Sequence, residues 1–405
     1  VAPKKILFTN ISYLPEVGGV ENSLYHLSEA SKKNGDYPYL LYGIKGSCTN
    51  DVFRRNGIVH ITFGRGSGGL MATIFAFTRL LRLVSTINSK ISFEKIVQRN
   101  HFVALVVNIL FKGQTVYLAP GFAKNQHTLK NINAQKLPVL EKKVFQIKSF
   151  ISRCVDWLAL VTTKKIYVFS DNMEVQARDV LGRFNRGREI LIVKPGIDVM
   201  RFERFSGEKF DLRANKFGFE PDAFIFLALG RCVSAKGFRY ILEAANALQN
   251  KNKNKFKFKL LIVGDGPELS SYKDYVASNN LEKLVLFVGK VSDPETYYAI
   301  ADCFVMSSTY EPLGQTLLEA AASQLPIIAF SDNCKVSFPD FRTATEEVLL
   351  DIPIYCNSVT EYELSGAMEK VMNMTEQERG DLGAVARAHV ARNFSWGKLY
   401  ADLTS

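Results

Sequence analysis

The sequence predicts an α/β protein made of two doubly wound, Rossmann-like domains. Three observations predict it. The chain has 405 residues, too many for one ordinary hydrophobic core and suited to two. Short apolar runs alternate with helix-patterned segments, as in parallel strands covered on both faces. The alternation stops in a charged, broken stretch, "IDVMRFERFSGEKFDLRANKFGFEPD", which reads as a linker or hinge, and then begins again. The domains are expected at residues 1–195 and 196–385, with about 386–405 forming a helix that returns to the first.

In the first domain, strands are expected at "KILFTNI", "YPYLLYGI", "IVHITFG", "EKIVQRN", "QTVYLAPG", "KKIYVFS" and "EILIVKPGID". A helix, "GGVENSLYHLSEASKKNG", follows the first strand and stops at Gly35, where a glycine relieves the last turn. In the second domain, "AFIFLALGR", "KFKLLIVGDGP", "LVLFVGKV", "CFVMSS" and "PIIAF" read as strands. The segments between them, such as "GFRYILEAANALQN" and "GQTLLEAAASQ", carry helical periodicity.

Composition narrows the function classes. The chain is 47% hydrophobic and 22% charged, which marks a globular protein. Its six cysteines are scattered without a C-x-x-C pair, against a disulfide framework or zinc site and in keeping with a reducing cytosol. The first residues lead straight into a strand rather than a signal peptide. The apolar runs Met71–Phe77 and Phe102–Phe111 fall short of the ~20 residues a spanning helix needs. Residues 1–195 hold 28 Lys and Arg against 12 Asp and Glu, a net +16, while the remainder holds 23 against 28, a net −5. A basic front half implies an anionic partner. No nucleic-acid module accompanies the charge, so nucleic acid is not expected.

G-x-x-x-x-G-K-[ST] does not occur, and the spacing G-x-G-x-x-G occurs only as "GRGSGG" at residues 64–69, which alone is weak evidence for a nucleotide site. A ligand is still expected at the carboxyl ends of the strands. Four turns there carry candidate chemistry. In "STYEPLGQTLLEA", Glu311 precedes a helix expected from Gly314, and Glu319 lies ~7.5 Å further along its axis. Two such carboxylates can grip two ends of one hydroxylated ligand, or merely complement the helix dipole. In "ALGRCVSAKGF", Arg231 and Lys236 sit where two cations neutralise a diphosphate, or stand as solvated charges. In "LLIVGDGPE", Gly264 and Gly266 open a turn that Asp265 braces. In "NISYLPEVGGVENSL", Gly18 and Gly19 let the backbone approach a ligand, or simply form a tight turn.

These turns occur in one order, with "PEVGGVE", "VFSDN", "KPGID", "FVGKVSD" and the tail "RNFSW" between and around them. On those motifs the chain resembles the retaining glycosyltransferases of family 4. That family has the GT-B architecture, two Rossmann-like domains facing across a cleft. The resemblance spans nearly the whole chain, and the E-x7-E element with "LLIVGDGP" is its most specific part.

The resemblance implies a nucleotide-sugar donor, a UDP-sugar favoured, bound by the second domain. Arg231 and Lys236 would hold the diphosphate. Glu311 would bind the donor sugar, helped by backbone N–H groups of Leu313, Gly314 and Gln315. Glu319 would take the ribose hydroxyls, Lys290 and Val291 the base, and the Gly18–Gly19 loop the phosphates and acceptor. It implies no cofactor and no metal, with the leaving diphosphate as base. The acceptor is expected to be a glycan or lipid-linked glycan in surface polysaccharide or lipopolysaccharide synthesis.

One departure stands out. A family histidine in a "V-H-G"-like run is replaced by Pro120 in "VYLAPGFAKNQ". His101 is the candidate substitute, with His127 behind it. The basic, apolar stretches "FTRLLRLVSTINSKISFEK" and "LEKKVFQIKSFISRCVDWL" suggest a cytoplasmic protein peripheral on an anionic membrane surface, or else ordinary amphipathic packing. A sugar-nucleotide epimerase and a non-catalytic glycan-binding homologue are the alternative readings.

Overall fold

The structure, a computed structural model, describes residues 2–14, 18–67, 70–111, 113–122, 139–203, 213, 217–220, 222–251, 257–335 and 342–405. The chain divides into two compact units, residues 1–196 with 396–405, and residues 197–395.

The first unit is built on β1 (Lys5–Thr9), β2 (Tyr37–Lys45), β3 (Asp51–Arg55), β4 (Ile58–Gly66), β5 (Lys95–Gln98), β6 (Thr115–Leu118), β7 (Lys165–Val168) and β8 (Glu189–Ile192). They form one sheet in the order β3-β4-β2-β1-β5-β6-β7-β8. All neighbours run parallel except β3 and β4. That pair is a hairpin closed by Asn56 and Gly57, with φ of 52° and 80°. The Asn-Gly pair adopts left-handed φ readily, as a two-residue turn requires. Of this hairpin, β4 was expected as "IVHITFG", and β3 was not among the expected strands.

Helices α1 (Gly19–Lys33), α2 (Leu70–Lys90), α3 (His101–Leu110), α4 (Val139–Thr162) and α5 (Asp171–Leu181) connect the strands. Leu80 and Val84 of α2 and Val103 and Val107 of α3 meet Leu7, Ile61 and Ile96 in one buried cluster. Each such side chain stabilises the unit by ~1.5–3 kcal/mol. The α3 start is fixed by Asn100, whose side chain accepts from the backbone N–H of Phe102 and Val103.

In the second unit, β9 (Phe224–Leu229), β10 (Phe258–Val263), β11 (Val285–Gly289), β12 (Cys303–Met306), β14 (Ile327–Lys335) and β16 (Ile354–Ser358) form a sheet ordered β11-β10-β9-β12-β14-β16. Every neighbour is parallel. Two short strands, β13 (Tyr310–Glu311) and β15 (Arg342–Thr343), pair separately. Helices α6 (Phe238–Lys251), α7 (Leu269–Ser278), α8 (Pro294–Ile300), α9 (Gln315–Ala322), α10 (Thr345–Leu349), α11 (Glu361–Asn373) and α12 (Glu376–Asn393) pack around it. Sheet order reverses between β9 and β12, so a crevice opens at their carboxyl ends.

The stretch expected as a linker belongs in part to this unit. Phe202 and Phe219 are in its core, and buried Arg213 pairs with Asp302 at 2.6 Å. Aromatic side chains in a charged context mislead a reading by composition. The crossing back to the first unit falls at α13 (Trp396–Thr404). Ala386, Val390 and Phe394 stay in the second unit's core. Trp396 stacks on His26 at 4.9 Å, and a Cβ on Gly196 would come within 2.2 Å of the Trp396 ring.

Candidate active site

At the crevice of the second unit, two backbone turns press together. Gly264 has φ +143°, and a Cβ there would lie 1.8 Å from the Gly230 carbonyl oxygen. Gly266 would meet the Cys232 carbonyl at 2.4 Å. The Cys232 N–H donates to the Asp265 carbonyl at 3.0 Å, and Asp265 Oδ1 accepts from the Gly266 N–H at 2.7 Å. Both glycines are therefore needed by the packing of the turns. Asp265 braces them, as expected.

After β9, a 3-10 turn at Ser234–Lys236 leads into α6. It is tied to the end of β12. The Ser307 hydroxyl donates to the Lys236 carbonyl at 3.0 Å, and the Thr309 N–H to the Ala235 carbonyl at 2.9 Å. Lys236 Nζ forms an ion pair with Glu311 Oε2. Glu311, 9% exposed, also accepts from the Gly314 N–H at 3.0 Å through Oε1. The Ser308 hydroxyl donates to Oε2 at 3.4 Å. Lys236, Glu311 and Gly314 thus form one linked chain in this structure, and the Gly314 N–H is already committed. Gly314 has φ +78° and caps α9. Half-buried Leu313 and Gln315 flank it.

Glu319 lies on α9, and Tyr298 of α8 donates its hydroxyl to Oε2 at 2.9 Å. Burial pushes the Glu319 pKa up to about 7, against the opposing pull of the Tyr298 hydrogen bond and the Arg201 charge. Part of the residue stays accessible, so its carboxyl is desolvated by the surrounding protein rather than sealed off. Arg201 pairs with Glu295 at 3.0 Å. Arg231 is exposed beside Gly230. Lys290, exposed, and Val291, packed against the core, follow β11.

The structure thus places Arg231, Lys236, Glu311, Leu313 and Gly314 in the connections that follow β9 and β12, with Gln315 and Glu319 in the first turns of α9. Ser307, Ser308, Tyr298 and Arg201 were missed. The Ser-Ser pair closing "CFVMSS" was a usable signal. Nothing in the spacing of "DPETYYAIAD" tells Tyr298 from a core residue.

The other candidates lie in the first unit. Gly18 and Gly19 open α1, and Gly19 has open space around its Cα. Glu21 Oε1 accepts from Ser12 Oγ at 2.6 Å. His101 starts α3, with Nδ1 3.8 Å from Oδ1 of buried Asp156 on α4. Pro120 follows β6 and is half-buried. His127 and residues 15–17 of the "PEVGGVE" motif lie outside the described residues.

The sequence model of the family glycosyl transferases group 1 matches residues 210–337, the segment that holds the crevice. The chain is 26% identical over 337 residues to the alpha-monoglucosyldiacylglycerol synthase of Acholeplasma laidlawii, covering 80% of this chain and 79% of that one. The synthase of the same name from Streptococcus pneumoniae is 32% identical over 157 residues, 38% of this chain. That match spans 35% of the relative's length. The solved structure of Anabaena HepE in complex with UDP-glucose superposes with a TM-score of 0.73 over 99% of this chain and 98% of that one. At 15% identity this likeness speaks for the fold, which is GT-B.

Proposed function

We propose that the protein is a retaining, metal-independent hexosyltransferase of family 4 that moves a sugar from a UDP-sugar to a glycan or lipid-linked acceptor. The crevice carries this reading, with Lys236 and Glu311 in the connections at a strand-order reversal and Glu319 on the α9 helix beside them, the place where such sheets bind ligands. The HepE complex with UDP-glucose supports a nucleotide-sugar in a fold of this kind. The names of the two glucosyldiacylglycerol synthases favour a lipid-linked acceptor.

In the proposed reaction the acceptor oxygen bonds to the donor C1 from the face the leaving phosphate departs. The C1–O phosphate bond breaks, and the acceptor proton passes to the leaving phosphate oxygen. Arg231 and Lys236 neutralise the diphosphate as charge develops, which is where such groups act most strongly. Donor binding exchanges the Lys236–Glu311 pair for contacts in which Lys236 meets phosphate and Glu311 accepts from sugar hydroxyls. Glu319 accepts from the ribose, the Lys290–Val291 turn meets the base, and Gly264 and Gly266 hold the phosphate-side turn. The Gly18–Gly19 loop and His101 serve the acceptor side.

The proposed setting is the cytoplasmic membrane face, in glycolipid or surface polysaccharide synthesis. On α4, Ile147, Phe150 and Ile151 are 60%, 67% and 52% exposed, beside exposed Lys143, Lys148 and Arg153. Such a helix suits an anionic bilayer surface. Among the described residues no helix is long and apolar enough to cross a membrane. The test is incubation with UDP-glucose and other UDP-sugars, with and without diacylglycerol or glycolipid vesicles. Transfer with an unchanged anomeric configuration supports the reading. Epimerised nucleotide-sugar without acceptor contradicts it.

A further inference from the structure

A cavity of about 300 Å³ opens in the first unit where β1, β2, β4 and β5 end, lined in part by Ile11, Lys45, Arg65, Thr73, Asn100 and His101. Among the described residues, its lining includes two cationic side chains and a histidine, and no carboxylate. Arg65 Nη1 donates to the Ile11 carbonyl at 3.3 Å, which fixes the guanidinium in the wall. Lys45 is exposed and makes no ion pair among the described residues. Among the described residues, Asp156 lies 3.8 Å from His101, and the charge of Glu21 acts on Arg99.

A second observation points the same way. Arg99, the residue before the α3 cap, is 3% exposed. Its Nη1 donates to the Leu118 carbonyl at 2.9 Å, and its guanidinium lies 5.4 Å from the Phe169 ring. Its Nε is buried without a hydrogen-bond partner. Among the described residues it has no ion pair. A guanidinium kept charged in an apolar setting is held against a large desolvation cost. Its guanidinium lies at the β6 and β7 ends, outside the cavity lining, and adds to the positive charge along the same carboxyl edge of the sheet.

We infer that this cavity binds an anionic acceptor: a sugar or polyol that carries a phosphate, with the phosphate on Lys45 and Arg65 and the hydroxyls toward Thr73 and His101. Its volume is at the lower end of small-molecule sites, ~300–1,000 Å³, and suits one such unit. Arginine and lysine together are the usual grip on a phosphate. The acceptor role rests on the glycosyltransferase reading; the anion site stands without it. The phosphate has two sources, a soluble sugar phosphate or a lipid headgroup.

The test is titration of the full chain with glucose 6-phosphate, glucose and UDP, and flotation with phosphatidylinositol vesicles against phosphatidylserine vesicles of equal charge. Wild type, Lys45→Glu and Arg65→Gln are compared. The expected result is binding of glucose 6-phosphate over glucose, weakened at least tenfold in both variants, with UDP binding unchanged. Preference for phosphatidylinositol, lost in Lys45→Glu, assigns the phosphate to a lipid headgroup and equally supports the site. Binding to neither phosphate probe, or binding that both variants leave intact, overturns the inference. Absence of UDP binding alongside Lys45-dependent sugar-phosphate binding overturns the donor reading and leaves the anion site standing.

Discussion

The E-x7-E spacing and the Arg231/Lys236 pair are legible in the sequence because each falls beside a strand end. Their mutual contacts are not, since the Lys236–Glu311 ion pair joins two turns 75 residues apart. Lys236→Met removes one partner of a largely buried pair. Loss of stability of ~1.5–3 kcal/mol is expected in urea unfolding, and at least ~100-fold loss of transfer rate. Glu319 makes a pH prediction. The native protein keeps its proton between the ordinary carboxyl value of 4.5 and about 7, where the unfolded chain has lost it. The native state therefore binds more protons in that window. Raising pH from 4.5 to 7 removes stability, and Glu319→Gln flattens that slope in unfolding curves measured across the range. A slope equal to wild type contradicts the burial argument.

Among elements, the apolar strands were readable because burial on both faces leaves long aliphatic runs such as Phe224–Leu229 and Phe258–Val263. The pairs that escaped are short or edge-placed. β13 and β15 have two residues each, too few for periodicity. The β3 strand is exposed throughout, so only the Asn-Gly turn announced it. The glycine turns of the crevice were legible as turns, but their cause was not, because the atom each Cβ would strike comes from another strand's end. Gly264→Ala places a Cβ 1.8 Å from the Gly230 carbonyl, at a φ that disfavours side chains. The expected cost is ~3 kcal/mol or more, read as a lowered urea midpoint, together with loss of UDP binding. Near-wild-type stability would show that the turns are not locked.

At the scale of the molecule, the two-unit division and the GT-B fold were visible in the repeated strand–helix alternation. The crossing at Ser395–Trp396 was not, because the buried side of α12 is short and carries small residues (Gly383, Ala386, Val390) that give no sign of which unit it serves. The charge contrast, net +16 on residues 1–195 against −5 on the remainder, is the basis of the proposed anionic partner of the basic half. Vesicles rich in anionic lipid are expected to float with the protein at low salt and release it at high salt. Phe150→Glu with Ile151→Glu on α4 is expected to reduce flotation at least tenfold. Flotation unchanged by these substitutions, or no flotation at low salt, would contradict the proposed membrane contact of α4.

The most direct measurement for the central claim is calorimetric titration of the whole protein with UDP, GDP and ADP, repeated on Glu319→Ala. The account predicts selective binding of UDP, weakened at least tenfold in the variant. Binding of none of the three, or UDP binding that Glu319→Ala leaves untouched, would contradict a nucleotide-sugar site at the β9–β12 crevice.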